Sequence, residues 1–138
     1  MREHEILDDD KKLRVRVRAS TRAGLIGASV RGLFEAMHPK FSESEERAKT
    51  VERPFQVKAA DFNELLVALL NEAIRQSVEY GEAFEEVRLS LIVDNEAKGE
   101  LIGRSVSGYG KTVKKVERLG LEVEKNEKGH WETIIVLS

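Results

Sequence analysis

Three consecutive carboxylates, Asp8, Asp9 and Asp10, stand in "LDDDKK". Hard divalent cations such as Ca²⁺ and Mg²⁺ take oxygen ligands, so this run could supply half of a metal site. It lacks the spacing and the glycine of an EF-hand loop. The plainer alternative is a solvated turn between strands, which aspartate favours by bonding to its own backbone. Three arginines follow at once. Arg14, Arg16 and Arg18 alternate with apolar residues in "LRVRVRA", so three guanidinium groups leave one strand face at intervals of roughly 7 Å. Guanidinium suits phosphate and carboxylate recognition, which makes RNA or an acidic partner one reading. The other is a solvated face paired with glutamates on neighbouring strands.

Other chemistry-bearing patterns are weaker. "GYGKT" (Gly108 to Thr112) shares its last residues with a phosphate-binding loop. That loop needs a glycine five residues before Gly110, where this chain has Ser105; the nearest is Gly103. Without that spacing the backbone N–H groups are not aimed at a phosphate, and no nucleotide site is expected. His4, His38 and His130 have no histidine partner at helical metal-binding spacing, and "HEILD" is not the zinc-protease motif H-E-x-x-H. His38 before Pro39 reads as a helix end, where a cation complements the dipole. His130, beside Trp131, reads as a surface residue at a strand start. No local signature selects a Ser-His-Asp set. With no identifiable base or nucleophile, an enzyme is not expected.

Composition bounds what these residues can belong to. The 138 residues suffice for one domain with a real core, expected over residues 1–138. At 41% hydrophobic and 35% charged, the chain reads as globular with a well-charged surface. Its net charge of -2 argues against a broad nucleic-acid footprint. It has no cysteine, hence no disulfide, thiol nucleophile or thiolate metal site. "MREHEILDDDKK" has no apolar signal-peptide core, and no run approaches the roughly 18 apolar residues of a membrane span, so a cytoplasmic location is the default expectation.

The elements that must position these residues follow from periodicity. "LRVRVRA" predicts a strand with Leu13, Val15, Val17 and Ala19 inward. In "STRAGLIGASVRGLFEAMHP", Ile26, Val30, Leu33, Phe34 and Met37 recur at helical spacing, and Pro39 marks the exit. Gly24, Gly27 and Gly32 weaken that helix by up to about 1 kcal/mol each, which suits a close approach to a sheet. "FSESEERAKTVER" reads as a connection, and "PFQVKA" as an edge strand. "DFNELLVALLNEAIRQSVEYG" is the clearest helix: Asp61 and Glu64 have capping-box spacing, the stripe runs from Phe62 through Ile74 to Ser77 or Val78, and Gly81 suits the C-cap. Four strands then follow, through "EEVRLSLIVD", "GELIGRSV", "LGLEVEK" and "HWETIIVLS", the last two joined by an NEKG turn. "KTVKKVER" fits helix or strand. The expectation is an α/β (α+β) two-layer sandwich, a mixed β-sheet with two amphipathic helices on one face.

Joined in this order, the strings resemble the archease family. "LRVRVRASTRAGLIGASVRGLFEAM" followed by "VKAADFNELLVALLNEAI" is similar to that family's first strand, its alanine-rich helix ending in an "MFEVM"-like string, and its "V-x-A-x-D-x-x-x-L-L" junction. Leu33 to Met37, Val57, Ala59, Asp61, Leu65 and Leu66 occupy those places. The tail from Val113 resembles the closing hairpin. The resemblance implies a small accessory protein that helps the GTP-dependent RNA ligase joining tRNA exon halves, by promoting guanylylation and repeated turnover. It also implies a divalent-metal site, Ca²⁺ or Mg²⁺, built near the first strand, near a "T-Y-H" string and at the C-terminal strand end.

The chain departs from the family at those places. Asp8, Asp9 or Asp10 could stand in for the acidic residue of the family's "E-H-T-A-D". The "T-Y-H" string falls on Glu117, Arg118 and Leu119, and the aspartate of the terminal "V-L-D-I" falls on Ser138. One substitute is the α-carboxylate of Ser138, if the chain ends there, since a C-terminal carboxyl group with pKa near about 3.3 is ionised at neutral pH. The expectation is therefore a non-catalytic, archease-like modulator of an RNA ligase with a degenerate metal site. The alternative is a protein- or RNA-binding module that keeps the scaffold and uses the arginine face.

Overall fold

The alternation in "LRVRVRA" does form a strand, but not the first. In the computed structural model, which describes residues 2–8, 13–41 and 49–138, Arg2–Asp8 forms β1 and Leu13–Ala19 forms β2, antiparallel from Arg2 opposite Ala19 to Asp8 opposite Leu13. There follow α1 (Arg22–Ala36), β3 (Pro39–Phe41), β4 (Val51–Lys58), α2 (Phe62–Tyr80), β5 (Glu82–Val93), β6 (Glu96–Tyr109), β7 (Val116–Lys125) and β8 (Trp131–Leu137). The α+β class is as the sequence predicts. The pairings resolve the expected mixed sheet into two sheets, antiparallel throughout the described residues. One has the order β1-β2-β8-β7. In the other, β6 is central, with β5 along one edge while β3 and β4 share the opposite edge.

The helices touch both sheets rather than covering one face. α1 lies against β1, β2 and β8 of the first sheet and β5 of the second; α2 lies against β7 of the first and β4, β5 and β6 of the second. The reason is visible in α1. Leu25, Ile26, Val30, Leu33 and Phe34 are all buried over about half the circumference of the helix. The small residues from Gly24 to Gly32 extend the buried surface, and within α1 only Arg31 and Glu35 are exposed, so the helix is covered on several sides. Its start is fixed by Thr21, whose hydroxyl accepts from the Gly24 amide at 2.9 Å. Its glycines give the close approach to the first sheet. A Cβ on Gly32 would lie 2.8 Å from Val15 Cγ1 and 3.2 Å from His4 Cβ.

α2 forms as its sequence dictates. Asp61 accepts from the Glu64 amide at 2.9 Å, and Gly81 takes the left-handed C-cap at φ 65°. Ser77 is buried and Val78 exposed, so the stripe ends on Ser77. β6, which the sequence shows as a weak strand, has 14 residues and carries the centre of the second sheet. Its glycines dilute the apolar pattern, and two of them are required: a Cβ on Gly99 would sit 2.0 Å from the Arg88 carbonyl oxygen, and one on Gly103 1.9 Å from that of Ala83. The core runs between the sheets and helices, through Val15, Leu25, Leu33, Leu65, Leu69, Phe84, Leu101, Ile135 and Leu137.

Candidate functional site

One end of the first sheet gathers the positions to which the sequence points for a metal. Asp8 stands opposite Leu13, Leu13 opposite Leu137, and Leu137 opposite Val116. Asp8 and Leu137 thus share one rung across β1, β2 and β8, two strand spacings or about 10 Å apart. Asp9 and Asp10 lie outside the described residues. Ser138 follows Leu137, and its main-chain oxygen accepts from the Lys114 amide at 2.8 Å and the Lys115 amide at 3.4 Å, while its own amide donates to the Lys115 carbonyl at 3.1 Å. "KTVKKVER" is thereby explained. Its first residues form a connection that docks on the chain end, and β7 begins at Val116.

Whether these residues suit a divalent ion is a matter of donors. Besides Asp8, the rung holds Leu13, Val116 and Leu137, whose side chains carry no oxygen. One Ser138 oxygen accepts from amides, and the connection supplying them carries Lys114 and Lys115, both exposed cations. Among the described residues, no group of three or more His, Asp or Glu could hold an ion. The described residues alone supply no ion site, with Asp9 and Asp10 lying outside them, and no chemical step is routed through one.

The arginines occupy the other face of β2. Across the sheet, Arg14 is opposite Leu7 and Val136, Arg16 opposite Glu5 and Ile134, and Arg18 opposite Glu3 and Glu132. All three are half-buried. Arg18 lies 3.9 Å from both Glu3 and Glu132. The face is an acid–base ladder around a central strand, which spends part of its positive charge internally. Such exposed pairs contribute about 0–1 kcal/mol each.

"GYGKT" does not form a phosphate cradle. Gly108 and Tyr109 end β6, the Gly110 amide donates to the His38 carbonyl at 2.8 Å, and the Lys111 amide to the Met37 carbonyl at 3.0 Å. His38 takes a left-handed φ of 52° just beyond α1, so it does end the helix. His130 immediately precedes β8, after an NEKG turn whose Asn126 side chain accepts from the Lys128 and His130 amides at 3.0 and 3.1 Å.

Several functional-looking groups have no local signal in the sequence. His4 pairs with Glu35 of α1. The Arg22 guanidinium lies 5.0 Å from the Phe62 ring and 4.9 Å from the Trp131 ring, and pairs with Asp94. It thus ties together the starts of both helices and of β8. Arg53 makes two hydrogen bonds to buried Glu82, at 2.7 and 2.8 Å, and stacks on Tyr80. The Glu82 pair raises the Arg53 pKa further above its ordinary value. The Tyr109 hydroxyl donates to the Glu82 carbonyl and pairs with Ser77 at 2.5 Å; burial pushes its pKa up. The partners are distant in sequence, so no short spacing could reveal them.

With this geometry in view, the likeness to known proteins can be stated. The chain is similar in fold to a crystal structure of an archease described as a "possible chaperone" from Thermotoga maritima, with a TM-score of 0.62 at 14% identity, covering 96% of this chain and 94% of that one. It is also similar to the solution structure of Methanobacterium thermoautotrophicum protein 1598, with a TM-score of 0.67 at 16% identity, covering 98% and 97%. No curated protein sequence matches it. The model of the archease protein family matches residues 4–137, nearly the whole chain, and on that ground the chain belongs to the archease family.

Proposed function

We propose that this protein is a non-catalytic accessory factor of a GTP-dependent RNA ligase of tRNA splicing, acting by protein–protein contact to promote guanylylation and turnover of the ligase. The observation that carries this reading is the family match over residues 4–137, which takes in both helices and strands of both sheets. The coarser reading, a chaperone-like accessory role, is supported by the description of the Thermotoga maritima archease. The metal site in this reading is degenerate. Asp8 to Asp10 are the residues that could still contribute to it, beside a strand end whose oxygen is engaged by amides. Direct RNA binding through Arg14, Arg16 and Arg18 is the weaker proposal, because glutamates stand opposite Arg16 and Arg18. Multiple-turnover joining of tRNA exon halves by the purified ligase of the same organism is the test. Adding the protein should raise the number of turnovers per ligase; a turnover number unchanged at stoichiometric protein excludes the role.

A further inference from the structure

Above the exposed side of α1, between the edge strands β1 and β5, lies a cleft of about 480 Å³ lined by Arg2, His4, Gly27, Arg31, Glu85 and Glu86. It adjoins a second depression of about 280 Å³, which shares Arg31 and Glu85 and is walled by Phe34, Phe41 and Phe84. The charges of this region are unevenly matched. Glu85 accepts from Arg104 at 2.9 Å, and Glu35 is taken by His4. Glu86 makes no ion pair or hydrogen bond among the described residues; Arg88, two residues along β5, pairs with Glu52 and Glu100. Arg2 and Arg31 make no ion pair or hydrogen bond among the described residues.

The position of Arg2 is fixed by α1. A Cβ on Gly27 would lie 2.9 Å from Arg2 Nη1 and 3.2 Å from Cζ, and one on Gly24 would lie 3.6 Å from Nε. The guanidinium therefore rests on helix backbone that only glycine leaves bare. Arg31 is four residues after Gly27, one turn along the same helix face. Two guanidinium groups, unpaired among the described residues, thus line one wall of a cleft against the single unpaired carboxylate of Glu86, a surplus of positive charge that an anion relieves. Guanidinium forks match the oxygens of phosphate. In the adjoining depression Phe34 and Phe84 are buried, and the Phe41 ring carries the Arg104 guanidinium 4.0 Å from its centroid, a planar cation on which a nucleobase can stack. The two spaces together fall within the size of small-ligand sites.

We infer that this cleft binds the phosphate of a nucleotide, with Arg2 and Arg31 holding the phosphate and the Phe41–Arg104 edge meeting the base. The nucleotide is either free or the end of an RNA strand. This goes beyond the accessory role and uses neither the "GYGKT" segment nor the strand-end aspartates, and its test needs no ligase.

Isothermal titration of the full chain at low salt would use three probes in turn: inorganic pyrophosphate, a 5′-mononucleotide, and a short 5′-phosphorylated RNA oligomer. The inference expects binding of pyrophosphate and tighter binding of the mononucleotide. Arg2→Gln and Arg31→Gln should each weaken it about ten- to hundredfold, the range for hydrogen bonds to charged groups. Gly27→Ala, which displaces only the flexible end of Arg2, should act like Arg2→Gln while the circular-dichroism spectrum stays unchanged. Arg75→Gln, on α2 and paired there with Glu72 and Glu79, does not line the cleft and should leave the affinity unchanged. An oligomer that competes with the mononucleotide identifies the strand end as the source, and one that does not identifies the free nucleotide. No binding of any probe at millimolar concentration overturns the inference, as does binding that Arg2→Gln and Arg31→Gln leave intact.

Discussion

Asn71 holds the first residue of β7, and its removal has a size that can be worked out. Its Oδ1 accepts from the Val116 amide at 2.8 Å, and its Nδ2 donates to the Val116 carbonyl at 3.1 Å. Val116 is only 2% exposed. The β7–β8 ladder shifts register three times between Val116 and Glu124, so α2 fixes this strand where the ladder does not. Farther along, Asn63 accepts from the Val123 amide at 2.8 Å. Asn71→Ala leaves one amide and one carbonyl of Val116 without their partner, at about 1–3 kcal/mol for each buried group. The methyl group that remains opens room for water beside part-buried Asn71, so the expected loss is about 2–3 kcal/mol. With a urea slope of about 1–3 kcal/mol/M, the unfolding midpoint falls by about 0.7–3 M. Trp131, the single tryptophan, reports the transition by fluorescence. Hydrogen exchange should quicken at the Lys114 and Lys115 amides that close on Ser138, because they precede Val116 in the same connection. A midpoint shift under about 0.2 M with an unchanged slope would refute the assignment of β7 to α2.

Three further outcomes follow. Gly32→Ala places a methyl 2.8 Å from Val15 Cγ1 and should cost about 1–3 kcal/mol through overpacking, read as a lowered melting temperature; an unchanged value would mean that β1 and β2 do not press on α1. The Tyr109 phenol has its pKa raised by burial. Its neutral form is thus favoured in the folded state, and stability is full below pH 10 and falls as pH rises through the folded value. Urea midpoints of the parent should decline above pH 10 more steeply than those of Tyr109→Phe, and parallel curves would contradict this. A degenerate metal site predicts that millimolar Ca²⁺ or Mg²⁺ leaves the melting temperature unchanged, whereas a bound ion at a hundred times its dissociation constant would add about 2.7 kcal/mol; a rise of several degrees would show that Asp8 to Asp10 hold an ion after all.

How much of this was legible in the sequence depended on whether the deciding interactions were local. α2 was readable because Asp61, Glu64, Gly81 and the apolar stripe lie within one continuous stretch. β2 was readable because its alternation is unbroken. β1 was missed because its rows, Arg2, His4, Ile6 and Glu3, Glu5, Leu7, are largely polar on both faces. The row that packs on α1 does so against glycines that leave no apolar signature. β3 is three residues that begin with a proline and follow a left-handed histidine, too short for any periodicity. The division into two sheets depends on which strands β6 and β8 recruit, and no spacing along the chain encodes that. The arginine row was found where it stands, since period two fixes its face. Its glutamate partners became visible only through the register of β1 and β8. The cleft with Arg2 and Arg31 brings together residues far apart in sequence, so its charge imbalance could be read only from the fold.

The central claim, an accessory role toward an RNA ligase, is tested most directly by the rate at which the ligase of the same organism forms its covalent guanylate with GTP. The measurement is made with and without this protein, over a range of stoichiometries. The account predicts a faster approach to full guanylylation that saturates near one protein per ligase. A rate that is the same at every ratio would contradict it.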